Sequence, residues 1–204
     1  MEWSDVLQPD LDPQEVLSDR LKSMHSDRQQ KVRRMLKAAV ILCLKLEDQV
    51  HTIKVGPESH HYEAREMIDF PQITVRSDLG RWRRGIEMVG PLIERAEARL
   101  DDAGHPYEIT ASLLSEFEKF DGVVEIEVVD LPDGGPPMGM EVVLNDYEPV
   151  GGCRRTRLVV SWQVVEGLVE GRLEPATAAR EITIGGDRGL AFELGGFASR
   201  QFDL

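Results

Sequence analysis

The chain has 204 residues, with 37 Asp and Glu against 24 Lys and Arg, and a formal net charge of −13. Nucleic-acid backbones and anionic membrane surfaces attract proteins with an excess of basic residues, so this balance argues against general affinity for either. Hydrophobic residues make up 41% and charged residues 30%, as in an ordinary globular protein. A chain of this length can build a core without disulfide or metal, as one domain or two small ones.

The cysteines and the N-terminus bear on the compartment. Cys43 and Cys153 are the two cysteines, and they lie far apart in the sequence. Two lone thiols are typical of a reducing compartment. The acidic N-terminus lacks the apolar segment of a secretory signal. The longest apolar run, Ala38 to Leu44, is far below the ~20 residues that span a bilayer. We therefore expect a cytoplasmic protein without membrane insertion.

A long helix is predicted from about Pro13 to Ile53, because apolar residues recur three or four positions apart. At 1.5 Å per residue, about 40 residues would reach about 60 Å, so such a helix needs a partner helix. The partner is either in the same chain, as a bundle, or in a second copy, as a coiled coil. A break near Ser26 and Asp27 is the alternative to one continuous helix. The residues predicted for self-association are Leu21, Met24, Val32, Met35, Leu42 and Leu46.

A further helix is predicted to begin at Ser77 or Asp78 and to end before Ala103–Pro106. The pattern then changes, which predicts two regions. Residues 1–104 form a helical region that serves oligomerisation or docking, and residues 105–204 form an α+β domain.

The second region alternates between helical and extended patterns. Helices are predicted at 110–120, after Ser161 and after Pro175. Strands are predicted at 123–129, 138–144, 156–160, 182–184 and 189–194, and Gly185–Asp187 would join the last two as a hairpin.

Three stretches of this region carry a resemblance to a known family: LLSEFEKFDGVVEIEVVD, TRLVVSWQVVEGLVEGRLEPATAA and ITIGGDRGLAFEL. Their order and spacing resemble the sterol-carrier-protein type of lipid-binding domain over residues of about 105–200. The resemblance implies a five-stranded, mostly antiparallel sheet with helices packed on one face. It also implies an apolar tunnel that holds a lipid or acyl-type ligand, with no catalytic residues and no cofactor.

If the tunnel exists, apolar residues of the second region line it, and the alternative is that the same residues fill a closed core. The predicted lining is Leu114, Phe117, Val124, Ile126, Val142, Val165, Leu168, Leu190 and Phe192.

Other groupings of reactive residues favour structural interpretations. His60, His61, Glu63 and Glu66 form the densest set of metal-ligand residue types, and a solvated surface is the favoured interpretation. The glycines around Asp187 lead into a predicted strand, whereas a phosphate loop leads into a helix. We predict no catalytic site, no metal and no cofactor.

Two functions are expected from these observations. The first is a non-catalytic binding protein for an apolar small molecule, such as a lipid. The alternative is an assembly or adaptor protein that self-associates or docks through its N-terminal helix, with no ligand.

Overall fold

The computed structural model describes residues 2–102 and 108–202 of the chain. The first half contains helices α1 (Trp3–Val6), α2 (Pro13–Glu15), α3 (Leu21–Asp27) and α4 (Gln29–Met35), strands β1 (Val40–Leu46), β2 (Gln49–Val55), β3 (His60–Glu63) and β4 (Ile73–Ser77), and helix α5 (Leu79–Asp102). The second half contains α6 (Ala111–Phe117), β5 (Gly122–Val129), β6 (Met138–Leu144), β7 (Arg155–Ser161), α7 (Trp162–Val169), α8 (Pro175–Glu181), β8 (Thr183–Gly186) and α9 (Arg188–Phe202).

The strands form one eight-stranded mixed sheet in the order β3-β2-β1-β4-β6-β5-β7-β8. Two neighbouring pairs, β1–β4 and β5–β7, are parallel, and the other pairs are antiparallel. Each half contributes an antiparallel hairpin, β1–β2 or β5–β6, and then a strand parallel to the first strand of its hairpin. The fold therefore contains a topological repeat, and the antiparallel β4–β6 pair joins its two copies.

Alternation along the strands gives the sheet one apolar and one charged face. Leu44, Val75, Val142 and Val124 lie side by side across four strands, and the helices pack on this face. The next position along each strand belongs to the opposite face and forms the row Lys45, Arg76, Glu141 and Glu125. Part of this face is an ion-paired surface, for example between Arg76 and Glu141 at 2.9 Å. Another row on the same face is buried and uncharged, and it consists of Cys43, Thr74, Val143 and Val123.

The predicted five-stranded, mostly antiparallel sheet is wrong, because the sheet has eight strands and is mixed. The predicted closing strand at 189–194 belongs to α9. Asp187 accepts a hydrogen bond at 3.0 Å from the backbone N–H of Leu190, as a residue that caps a helix N-terminus does. Leu190, Leu194 and Phe197 then recur at helical spacing on the buried side of α9.

The predicted long N-terminal helix is also wrong. Helical structure after Pro13 includes a π-helical turn at Val16–Arg20 and ends at Met35, and the residues that follow form the β1–β2 hairpin. Apolar residues four apart, such as Leu42 and Leu46, satisfy both a helical stripe and one face of a strand, so the spacing does not separate the two. Glu47 lies in the turn of this hairpin with a φ of +53°. Glycine, asparagine and aspartate are the residues that usually indicate such a turn, so Glu47 did not reveal it.

The helix predicted to begin at Ser77 or Asp78 is present as α5, and its predicted end lies outside the described residues. The predicted division of the chain at residue 104 falls there as well. The β4–β6 pair crosses that division, so hydrogen bonds of the sheet connect the two predicted regions.

Candidate functional site

An apolar cavity of about 370 Å³ lies between the sheet and the helices in the first half of the fold. Its walls come from β1, β2, β4 and β6, from α5 and from the N-terminal helical segment. Its main apolar wall residues are Leu7, Leu17, Leu21, Leu42, Leu44, Ile53, Val75, Trp82, Ile86, Val89, Ile93, Met138 and Met140. We refer to it as the first cavity.

Helix α5 supplies one side of the first cavity. Trp82, Ile86, Val89 and Ile93 follow one another at intervals of four, three and four residues, so they share one face of the helix. That face lies over the apolar face of the sheet, to which Leu44 and Val75 belong. The cavity is thus the part of the space between the two layers that side chains do not fill.

Few polar groups line the first cavity. His51 lies with Nδ1 2.9 Å from the Tyr62 hydroxyl, and burial lowers the pKa of His51, which keeps the ring neutral. The buried Nε1 of Trp82 has no hydrogen-bond partner among the described residues. Arg81 is exposed and pairs with Asp78 at 3.2 Å. The described wall of the first cavity is therefore mainly apolar.

A second cavity, also of about 370 Å³, adjoins the first. Leu21 and Ile93 belong to the walls of both, so these two side chains stand between the cavities. The remaining wall residues come from the N-terminal helices, α5, β2 and β3, and they are Trp3, Met24, His25, Arg28, Lys31, Val32, Met35, Val55, His60, Ala96 and Glu97.

Two histidines lie in the wall of the second cavity, with ring centroids 6.3 Å apart. The Nε2 atom of His25 lies 2.9 Å from the backbone oxygen of Gly56. Both ring nitrogens of His60 are buried, and neither has a partner among the residues that the structure describes. Burial, and then the nearby His25 and Lys22, lower the pKa of His60. His60 is therefore a neutral polar group without a described partner, in a wall that also contains His25, Arg28, Lys31 and Glu97.

Glu97 binds side chains of the N-terminal helices that cover the second cavity. Its carboxylate accepts hydrogen bonds from Trp3 Nε1 at 2.8 Å, from Lys31 Nζ at 2.7 Å and from the Arg28 guanidinium. Burial alone would raise the pKa of Glu97, but the hydrogen bonds from Lys31 and Arg28 outweigh it and lower the pKa. One carboxylate on α5 thus holds three side chains of the segment that covers the cavity.

The predicted lining residues of the second half occupy other places. Phe117, Val124, Ile126, Val142 and Leu190 pack together between the sheet, α6 and α9. Val165 and Leu168 of α7 pack in a separate core with Trp162 and Leu92. Leu114 is half-buried on α6, and Phe192 is 67% exposed. None of the nine lines the first or the second cavity.

The residues predicted for self-association pack inside the chain. Leu21 and Leu42 line the first cavity, Leu21, Met24, Val32 and Met35 line the second, and Leu46 is 1% exposed in the core. Of these six, Met24 and Leu46 are buried and the other four are half-buried. Trp82 and His60 were missed as wall residues. The helical stripe from Trp82 to Ile93 was the available signal for Trp82, and it does not extend to His60, which lies in β3.

Among residues 2–102 and 108–202, no group of three or more His, Cys, Asp or Glu side chains is placed to hold a metal ion. Within the same residues, no helix combines the length and the apolar character that crossing a membrane requires. No family model matches the chain. No curated protein matches it either.

Proposed function

We propose that the protein is a non-catalytic binding protein for an apolar small molecule, which it holds in the first cavity. The observation that carries this proposal is an apolar space of about 370 Å³ between sheet and helices. Ligand sites commonly measure about 300–1,000 Å³ and are lined mainly by apolar side chains with a few polar groups. Burying an alkyl chain is worth about 0.8 kcal/mol per methylene, so such a site needs no charged anchor.

A lipid or acyl-type ligand is the class that the sterol-carrier resemblance implies. The cavity supports that class by its apolar walls, although it is built mainly from the first half of the chain and not from residues 105–200. The net charge of −13 fits a ligand taken up from solution better than one held at an anionic membrane surface.

Filling the first cavity tests the proposal. Val89→Trp places an indole in the cavity wall, and we expect it to weaken binding of the fluorescent apolar probe N-phenyl-1-naphthylamine by about tenfold or more, since the displaced contacts are apolar. Val159→Trp is the matched control, because Val159 lies on the charged face of the sheet. Circular dichroism verifies that both variants fold. A wild-type chain that does not bind the probe, or a folded Val89→Trp variant with full affinity, contradicts the proposal.

The alternative is an assembly or adaptor protein without a ligand. The observation in its favour is a loop before β4 on which Ile68 is fully exposed and Phe70 is 64% exposed, since exposed large apolar side chains are typical of contact surfaces. Light scattering on the wild type and on Ile68→Ser tests it. A wild-type protein that is monomeric at high concentration removes the self-association form of this alternative.

A further inference from the structure

We propose that the second cavity takes the polar end of the same ligand, and that this end is an uncharged hydroxyl that pairs with His60. The inference rests on the proposed function, because it concerns the ligand whose apolar part lies in the first cavity. It assigns the ligand to elongated apolar alcohols, as opposed to carboxylates, amines or pure hydrocarbons.

The two cavities are arranged for one elongated molecule. They adjoin at Leu21 and Ile93, which are apolar and half-buried. A chain that passes between these side chains meets apolar walls on both sides. In the first cavity its polar neighbours are His51, which pairs with Tyr62, and the Nε1 of Trp82, whereas in the second cavity it meets His60 and His25.

A hydroxyl can pair with either ring nitrogen of His60, whereas an ionic end group can pair with only one of them. A neutral imidazole carries one N–H donor and one bare nitrogen that accepts. Both nitrogens of His60 are buried without a partner in the described chain, and an unpaired buried polar atom costs about 1–3 kcal/mol. A hydroxyl donates to the bare nitrogen or accepts from the N–H, so it pairs with either one. A carboxylate can only accept, and an ammonium group can only donate.

The charges around the second cavity disfavour an ionic end group. The charged residues among its described wall are Arg28, Lys31 and Glu97; both cations pair with Glu97, and Arg28 also pairs with Glu2 at 3.4 Å. Moving a charged group out of water into this wall would cost several kcal/mol without a new ion pair to offset it. Burial, and then His25 and Lys22, lower the pKa of His60 and outweigh the effect of its own backbone, which raises it, so the ring is neutral at neutral pH.

The test is displacement of N-phenyl-1-naphthylamine by three twelve-carbon competitors at neutral pH: 1-dodecanol, dodecanoate and dodecylamine. We expect 1-dodecanol to compete best with the wild type. His60→Phe removes both hydrogen-bonding nitrogens, and we expect it to weaken 1-dodecanol by about tenfold while the other two competitors change little. His60→Gln keeps a donor and an acceptor and is expected to retain most of the preference for the alcohol.

Two further variants test whether the alcohol preference depends on His60 and not on another residue. His61→Phe changes the neighbouring residue, which is exposed and pairs with Glu63 on the charged face, and it should keep the wild-type preference. Trp82→Phe changes the wall of the first cavity and removes its unpaired N–H, so we expect it to change the affinities of all three competitors together and to leave the ratio between them unchanged.

The outcomes separate this inference from the proposed function. A wild-type chain that does not bind the probe overturns both. If the probe binds, three results would overturn the assignment to His60 and leave the apolar site in place. The wild type shows no preference for the alcohol, the preference survives in His60→Phe, or the preference is lost in Trp82→Phe instead.

Discussion

At the scale of single residues, Gly122 fixes the start of β5. Its φ is +132°, and an added Cβ would lie 2.6 Å from the backbone oxygen of Arg154, which the N–H of Val123 uses as its acceptor. We expect Gly122→Ala to lower the free energy of unfolding by about 1–3 kcal/mol, because it combines backbone strain with a steric clash. Urea denaturation measures the loss.

Gly151→Ala is the control for that substitution, since an added Cβ there has no neighbour within 4 Å among the described atoms. It should change the unfolding free energy by less than about 0.5 kcal/mol. Equal effects at both positions would contradict the strain argument.

His51, which is buried, and His60, whose ring nitrogens are buried, make the stability depend on pH. Burial lowers the pKa of both below the ordinary value of 6.5, so the unfolded chain takes up protons that the folded chain does not. Their contribution to stability is complete above about pH 6.5. Below it the free energy of unfolding falls, by at most about 1.4 kcal/mol per pH unit and histidine.

Urea denaturation at neutral pH and at about pH 5.5 checks this dependence. His60→Phe should reduce the loss on acidification, whereas His61→Phe, which changes an exposed side chain, should leave it as in the wild type. The same pH dependence in the wild type and in His60→Phe would show that His60 does not cause it.

At the scale of elements, the N-terminal helices form a cover that Glu97 holds in place on α5. The carboxylate is 20% exposed and binds Trp3, Arg28 and Lys31. We expect Glu97→Gln to cost about 1–3 kcal/mol, as a charge-assisted hydrogen-bond centre does. Amide hydrogen exchange should become faster in residues 3–35, while β5, β6 and β7 keep their protection.

Glu58→Gln provides the comparison, because Glu58 also pairs with the N-terminal helices, through Arg33 at 3.4 Å, but is 71% exposed. An exposed pair contributes about 0–1 kcal/mol, so exchange in residues 3–35 should stay at the wild-type rate. Equal exchange in the Glu97→Gln and Glu58→Gln variants would show that Glu97 does not hold the cover.

At the scale of the whole molecule, the sheet makes the two halves interdependent. β6 pairs with β4 on one side and with β5 on the other, so a fragment of residues 105–204 would leave one edge of β6 unpaired. We expect this fragment to be unfolded or aggregated alone, because an exposed central strand loses both its hydrogen bonds and its apolar neighbours.

Co-expression of 1–104 with 105–204 should restore a complex, which size-exclusion chromatography detects as both fragments in one peak. Two folded fragments that elute separately would instead support independent domains on either side of residue 104.

The sequence by itself determined much of the local structure. The alternation at 123–129, 138–144 and 156–160 predicts β5, β6 and β7, and the capping residue Ser161 predicts α7, because these signals come from near neighbours along the chain. The apolar spacing also identified buried residues such as Met24 and Leu46. Hydrophobic burial depends on residue type, which the sequence shows directly.

Only the tertiary structure decided what those buried residues pack against. Leu42 and Leu46 fit a helix or a strand by spacing, and their pairing with Ile53 and Gln49 in β2 makes them a strand. The β4–β6 pair joins segments about 70 residues apart and turns two partial sheets into one. A cavity is likewise space that several distant side chains leave unfilled, so Trp82, His60 and Leu21 acquire a shared role only when the chain brings them together.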